Sequence, residues 1–130
     1  MTTQLVLLGT AGAPMPVAGR AGIASALVVE GRVFVVDCGR GAPSAFVEAG
    51  LDFTRLEAVF LSHLHVDHTG DLAGLLLYPW GVRVGEGGGP LPPIRVYGPA
   101  APHVVVIGSP GVTVHSAPPV SQPGPGTAAV

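Results

Sequence analysis

Glycine and proline interrupt this chain so often that its regular elements have to be short: 20 glycines and 14 prolines stand among 130 residues. That density favours loops and extended segments over long helices. The apolar content pulls the other way, with 48% hydrophobic residues and a mean hydropathy of +0.55. A chain of this length can bury one modest core but not two. The compromise is a set of brief apolar runs punctuated by turns.

Leu5 to Leu8 is an apolar run of strand length closed by Gly9. Gly9, Gly12, Pro14, Pro16, Gly19 and Gly22 make residues 9–22 a loop. Ile23 to Glu30 and Arg32 to Asp37, parted by Gly31, read as a β-hairpin with a tight turn. Pro43 near the start and Gly50 past the end frame a short helix over Ala42 to Ala49. Ala58 to Leu61 is a buried strand, and Leu72, Leu75 and Leu76 then recur at helical spacing up to Pro79, with Asp71 at the positive end of that helix. Residues 81–93 are glycine- and proline-rich and read as an irregular linker. Ile94 to Tyr97, Val104 to Ile107 and Val112 to Val114 are three further short strands. From Ser116 onward the chain lacks the apolar pattern a core requires. The expected organisation is one α/β domain over residues 1–115, with a mixed sheet and a few short helices, and an irregular tail over 116–130.

Charge gives nucleic-acid binding no support, though it leaves it possible. All six basic residues are arginines, at 20, 32, 40, 55, 83 and 95, they are scattered, and the formal net charge is -2. The basic stripe of a nucleic-acid-binding surface is absent from this pattern. The single cysteine, Cys38, has no intrachain partner. The N-terminal residues lack a secretory pattern, and no stretch approaches the roughly 20 apolar residues that span a bilayer. A soluble, cytoplasmic protein without a membrane partner is expected.

The densest chemistry lies in His63-Leu64-His65-Val66-Asp67-His68, four donor side chains within six residues of a chain with five histidines. At the end of a strand, residues i and i+2 point to the same side, so His63 and His65 can face one ion. Asp67 and His68, in the turn that follows, can reach a second. Imidazole and carboxylate together suit Zn²⁺, with Fe or Mn as alternatives. Two such ions activate a water for attack on an electrophilic carbonyl or phosphorus centre, which makes hydrolysis the natural chemistry. The competing reading is a surface histidine cluster held by loop hydrogen bonds. His103 and His115 stand alone and are left outside the site. Asp37 is either an acceptor that orients a ligating imidazole or a cap for its own turn. Asp71 reads as a helix N-terminal residue.

With these residues in place, the sequence resembles the metallo-β-lactamase fold superfamily, whose His-x-His-x-Asp-His pattern residues 63–68 match in full. Leu8-Gly9-Thr10-Ala11-Gly12 with Pro14, Arg20 and Ser25, followed by Asp37-Cys38-Gly39, is similar to the opening of ribonuclease Z-like members. The resemblance implies the N-terminal half of an αβ/βα sandwich. It also implies two Zn²⁺ ions in the complete fold, His63 and His65 on one and Asp67 and His68 on the other, with Asp67 holding the nucleophilic water as the catalytic residue. Further ligands would come from the second half of such a fold, so the chain is expected to be incomplete as a catalyst and to expose an apolar face through which it associates. Arg40 stands where ribonuclease Z members usually carry an acid, and Thr69-Gly70-Asp71 looks more like other hydrolases of the superfamily. The expected activity is therefore a metal-dependent hydrolase of an ester-type substrate: a small ester, a lactone, a sulfate ester or a phosphodiester. The alternatives are a ribonuclease Z-like phosphodiesterase acting on RNA and a non-catalytic metal-binding fragment.

Overall fold

The computed structural model describes residues 2–13, 15–85, 91–99 and 112–116. Six strands, β1 (Thr3–Gly9), β2 (Ala24–Val29), β3 (Arg32–Val36), β4 (Leu56–Phe60), β5 (Ile94–Gly98) and β6 (Val112–Ser116), form one sheet in sequence order. The first two pairings are antiparallel and the last three parallel. Parallel neighbours need crossovers. The β3 to β4 crossover carries α1 (Ala42–Glu48), and the β4 to β5 crossover carries α2 (Val66–Thr69) and α3 (Leu72–Gly85). This is the mixed α/β architecture expected from the alternation of short apolar runs.

Strand alternation sorts side chains onto two faces. The cross-strand row Val6, Ala26, Val35, Val59, Val96 faces the helices. Together with Leu8, Val33 and Leu56 it packs against Phe46 of α1 and Leu75 of α3, both fully buried. Phe46 stacks on Phe53 with ring centroids 4.5 Å apart, which joins α1 to the 3₁₀ turn Phe53–Arg55. That turn, which the sequence pattern did not announce, is capped by the Asp52 carboxylate accepting from the Thr54 amide at 2.8 Å.

The hairpin forms as expected. Glu30 (φ 52°) and Gly31 (φ 79°) are both left-handed, as a two-residue type I′ turn between twisted strands requires. The helix expected to stop at Pro79 instead runs through it to Gly85, so residues 81–85 are helical and not linker. A proline inside a helix forfeits one backbone bond and crowds the preceding turn. Here the Pro79 residue is buried, and that apolar contact offsets part of the loss. Ser116 closes β6 and does not begin the tail; residues 117–130 and the strand expected at Val104 to Ile107 lie outside the described residues. Among the described residues no helix is long and apolar enough to cross a membrane.

The opposite face of the sheet is apolar, and among the described residues no helix covers it. One cross-strand row there holds Leu7, Ser25, Val36, Phe60 and Tyr97, and the next begins Leu5, Leu27, Phe34. Leu5 is 63% exposed, Leu7 65% and Phe60 40%. A contiguous exposed patch of this kind drives association. We expect the 130-residue chain to show concentration-dependent association in sedimentation velocity, weakened when Leu5 and Leu7 are both replaced by serine. A compact monomer at all concentrations would contradict this.

Candidate metal centre

The carboxyl ends of the parallel strands β3 and β4 are where this topology gathers chemistry. Asp37 follows β3, and the segment from Ser62 to His68 follows β4. Three glycines let these loops meet. A Cβ on Gly39 would overlap the Asp67 carbonyl and stand 2.7 Å from the Ile23 amide nitrogen, and one on Gly22 would stand 2.8 Å from the Arg40 nitrogen. One on Gly9 would overlap the Gly22 carbonyl. Across this close approach the Cys38 amide donates to the His68 carbonyl at 2.6 Å and the Asp71 amide to the Cys38 carbonyl at 3.1 Å. The Asp71 carboxylate accepts from the Gly41 amide at the start of α1, at 2.6 Å. Asp71 directly precedes α3, where its carbonyl accepts from the Leu75 amide at 3.0 Å as a helix N-terminal residue, and its carboxylate in addition ties α3 to α1.

Asp37 is the buried carboxylate of the site, and its backbone is left-handed (φ 60°), a conformation aspartate tolerates better than most residues. Its Oδ2 accepts from His68 Nδ1 at 2.8 Å, and its Oδ1 accepts the Ser62 amide at 2.8 Å. The Ser62 hydroxyl lies 2.8 Å from Asp37 Oδ2 and 3.1 Å from His63 Nδ1. Of the two roles weighed for Asp37, these bonds speak for the acceptor that holds an imidazole, since its partners are His68 and Ser62 and not the amides of its own turn. Burial alone would raise its pKa, but the bonds from Ser62 and His68 outweigh that and hold the carboxyl below the usual carboxylate range. The stabilisation from these bonds is complete above that range and is lost only as pH falls through the lowered folded-state value.

These bonds decide which nitrogens carry a lone pair. A hydroxyl has one proton. Ser62 gives it to Asp37 and accepts from His63 Nδ1, so His63 keeps its lone pair on Nε2. His68, donating through Nδ1, keeps its own on Nε2. His63 Nε2 lies 3.2 Å from His65 Nδ1, and His68 Nε2 lies 3.7 Å from Asp67 Oδ2. Two ligands about 2.0 to 2.1 Å from one tetrahedral zinc ion stand about 3.3 Å apart, so the first pair matches one edge of a coordination sphere and the second comes near it. Among the described residues no three His, Cys, Asp or Glu side chains close on a single ion position. The donors suit zinc as two pairs, His63 with His65 and His68 with Asp67.

Cys38 is no part of the donor set. Its side chain is fully buried, and that burial, reinforced by the carboxylates of Asp71 and Asp37, pushes its thiol up to about 12. His103 lies outside the described residues. Ser62, by contrast, was missed by sequence reading, although a hydroxyl directly before the first histidine was the available signal. Replacing Asp37 by asparagine puts an amide where the acceptor for His68 belongs. Zinc affinity measured by competition with a chromophoric chelator should fall by about 10- to 100-fold. Unchanged affinity would remove Asp37 from the site.

Residues 3–79 match the family of the Anti-Pycsar protein Apyc1. Ribonuclease Z of Mycolicibacterium gilvum is 38% identical over 103 residues, covering 79% of this chain and 35% of that protein. Ribonuclease Z of Mycobacterium sp. (strain KMS) is 44% identical over 77 residues, 59% of this chain and 27% of that protein. The chain thus spans about a third of the length of the curated relatives it matches. Among solved structures, human tRNase Z, short form, superposes with a TM-score of 0.62 at 33% identity, over 75% of this chain and 34% of that one. The metallo-β-lactamase fold protein YhfI from Bacillus subtilis superposes with a TM-score of 0.73 at 23% identity, over 90% and 47%, which speaks for the fold. The chain belongs to the family of the Anti-Pycsar protein Apyc1 and is a ribonuclease Z-like protein of the metallo-β-lactamase fold.

Proposed function

We propose that this chain supplies donor residues of a zinc-dependent phosphodiesterase working in the cytoplasm. The observation that carries this reading is the two donor pairs whose lone-pair nitrogens Asp37 and Ser62 select. Hydrolysis of phosphodiesters, with RNA as the polymer that presents them, takes precedence over small esters, lactones or sulfate esters because the relatives are a ribonuclease and a tRNase by name.

His63 and His65 would hold one ion and Asp67 and His68 the other, with iron or manganese suited to the same donors. When bound, zinc supplies Lewis acidity and lowers the pKa of water at the site to near neutral. The chain's own residues do the rest. Asp37 keeps His68 in the tautomer that presents Nε2, and Ser62 does the same for His63. Asp67, whose side chain is 12% exposed, would hold the attacking water by a hydrogen bond and take its proton. The second reading, a metal-binding fragment without turnover of its own, draws on the absence of a three-donor cluster among the described residues.

The metal-loaded protein should hydrolyse bis(p-nitrophenyl) phosphate in preference to p-nitrophenyl acetate. His63→Ala or Asp67→Ala should lower that rate by about 10²- to 10⁴-fold while leaving the far-UV circular dichroism unchanged. Turnover of the acetate alone would replace the phosphodiester reading with an ester hydrolase. Silence on both substrates, with zinc bound, would favour the fragment reading.

A further inference from the structure

The arginines that look scattered in sequence are not all scattered in space. Arg20 and Arg40 meet on the loop that borders the metal centre, where Arg40 Nη2 reaches the carbonyls of Val17 at 3.3 Å and Arg20 at 3.4 Å. Arg20 spends its own guanidinium on Thr10, at 3.2 Å to the carbonyl and 2.8 Å to the hydroxyl. Arg40 is different. Both of its bonds are long and use one nitrogen, so Nε and Nη1 have no acceptor among the described residues, and no carboxylate pairs with it there.

That cation lines a cavity of about 280 Å³ whose walls include Met15, Pro16, Val17 and Val66 and whose lining also includes Asp67. The second carboxylate of the cavity, Asp71, is engaged by the Gly41 amide. A pocket with an apolar wall and a guanidinium that pairs with no carboxylate among the described residues suits a ligand with a flat or apolar part and an anionic part. The volume lies just below the usual range for small-molecule sites, roughly 300 to 1,000 Å³, so it accommodates a single nucleotide unit and not a paired stem.

We propose that Arg40 is a substrate-recognition residue: it binds a phosphate of a single-stranded nucleotide unit whose base or ribose lies against Met15 and Val66, next to Asp67. This rests on the phosphodiesterase reading and names the part of the substrate held beside the scissile bond. Guanidinium is suited to this because it offers two parallel donors to two phosphate oxygens.

Binding of uridine 5′-monophosphate and of uridine to the full 130-residue chain, by isothermal titration with zinc present and again in EDTA, tests the assignment. The monophosphate should bind about tenfold more tightly than the nucleoside, as a charge-assisted pair implies, in both conditions. R40Q should erase that difference, R40K should keep most of it, and R20Q, which loosens the same loop but leaves the Arg40 cation in place, should leave it intact. Equal affinity for monophosphate and nucleoside in the unaltered chain would overturn the proposal, as would an unchanged R40Q. An equal loss in R20Q would assign the effect to the loop and overturn it too. The EDTA arm needs no hydrolysis, so a protein inactive on diesters but selective for the monophosphate would sink the catalytic reading alone.

Discussion

The structure of the site depends on one steric fact, that residue 39 has no side chain. Gly39 lies against the backbone of Asp67 and of Ile23 so closely that a methyl group would displace one of them. Through that contact the end of β3, the loop before β2 and the turn after β4 share a single packing arrangement. The backbone bonds around it, Gly39 amide to Ile23 carbonyl at 2.9 Å and Gly22 amide to Arg40 carbonyl at 2.7 Å, lock the three segments together. Backbone placed this way carries the side chains with it, so the positions of Asp37, Asp67 and His68 are consequences of close glycine packing more than of their own preferences.

On that frame the electrostatics are directional. A buried carboxylate is costly unless it is hydrogen-bonded, and Asp37 meets this condition by taking the Ser62 amide, the Ser62 hydroxyl and the His68 ring. The bonds that satisfy the acid also select the lone-pair nitrogens of two histidines. Stability and site chemistry are here the same set of hydrogen bonds, which explains why a left-handed aspartate is tolerated at the end of a strand. Cys38, one residue on, is buried between two carboxylates and is kept a neutral thiol by the same surroundings.

Much of this was legible in the amino-acid order. The hairpin turn was visible because only a residue such as Gly31 accepts its φ cheaply, and α1 because Pro43 and Gly50 mark its ends. The donor pairs of residues 63–68 were visible because they are local, set by alternation at the end of a strand. What lay hidden was non-local. Ser62 and His68 stand 25 and 31 residues from Asp37, and Asp71 stands 30 from Gly41, so no periodicity relates them. Pro79 misled for a different reason, since its cost to the helix is intrinsic and the burial that offsets it belongs to the tertiary structure. The nearness of Arg20 and Arg40, which border one loop in the fold, is non-local in the same way as the bonds of Asp37.

The central claim is that Asp37 and Ser62 prepare imidazole nitrogens for a metal which the buried thiol does not touch. Zinc K-edge absorption spectroscopy of the zinc-loaded chain reads that directly. The account predicts a first shell of nitrogen and oxygen at about 2.0 to 2.1 Å with multiple scattering from at least two imidazoles and no sulfur. A sulfur shell near 2.3 Å, or a first shell without imidazole, would contradict it.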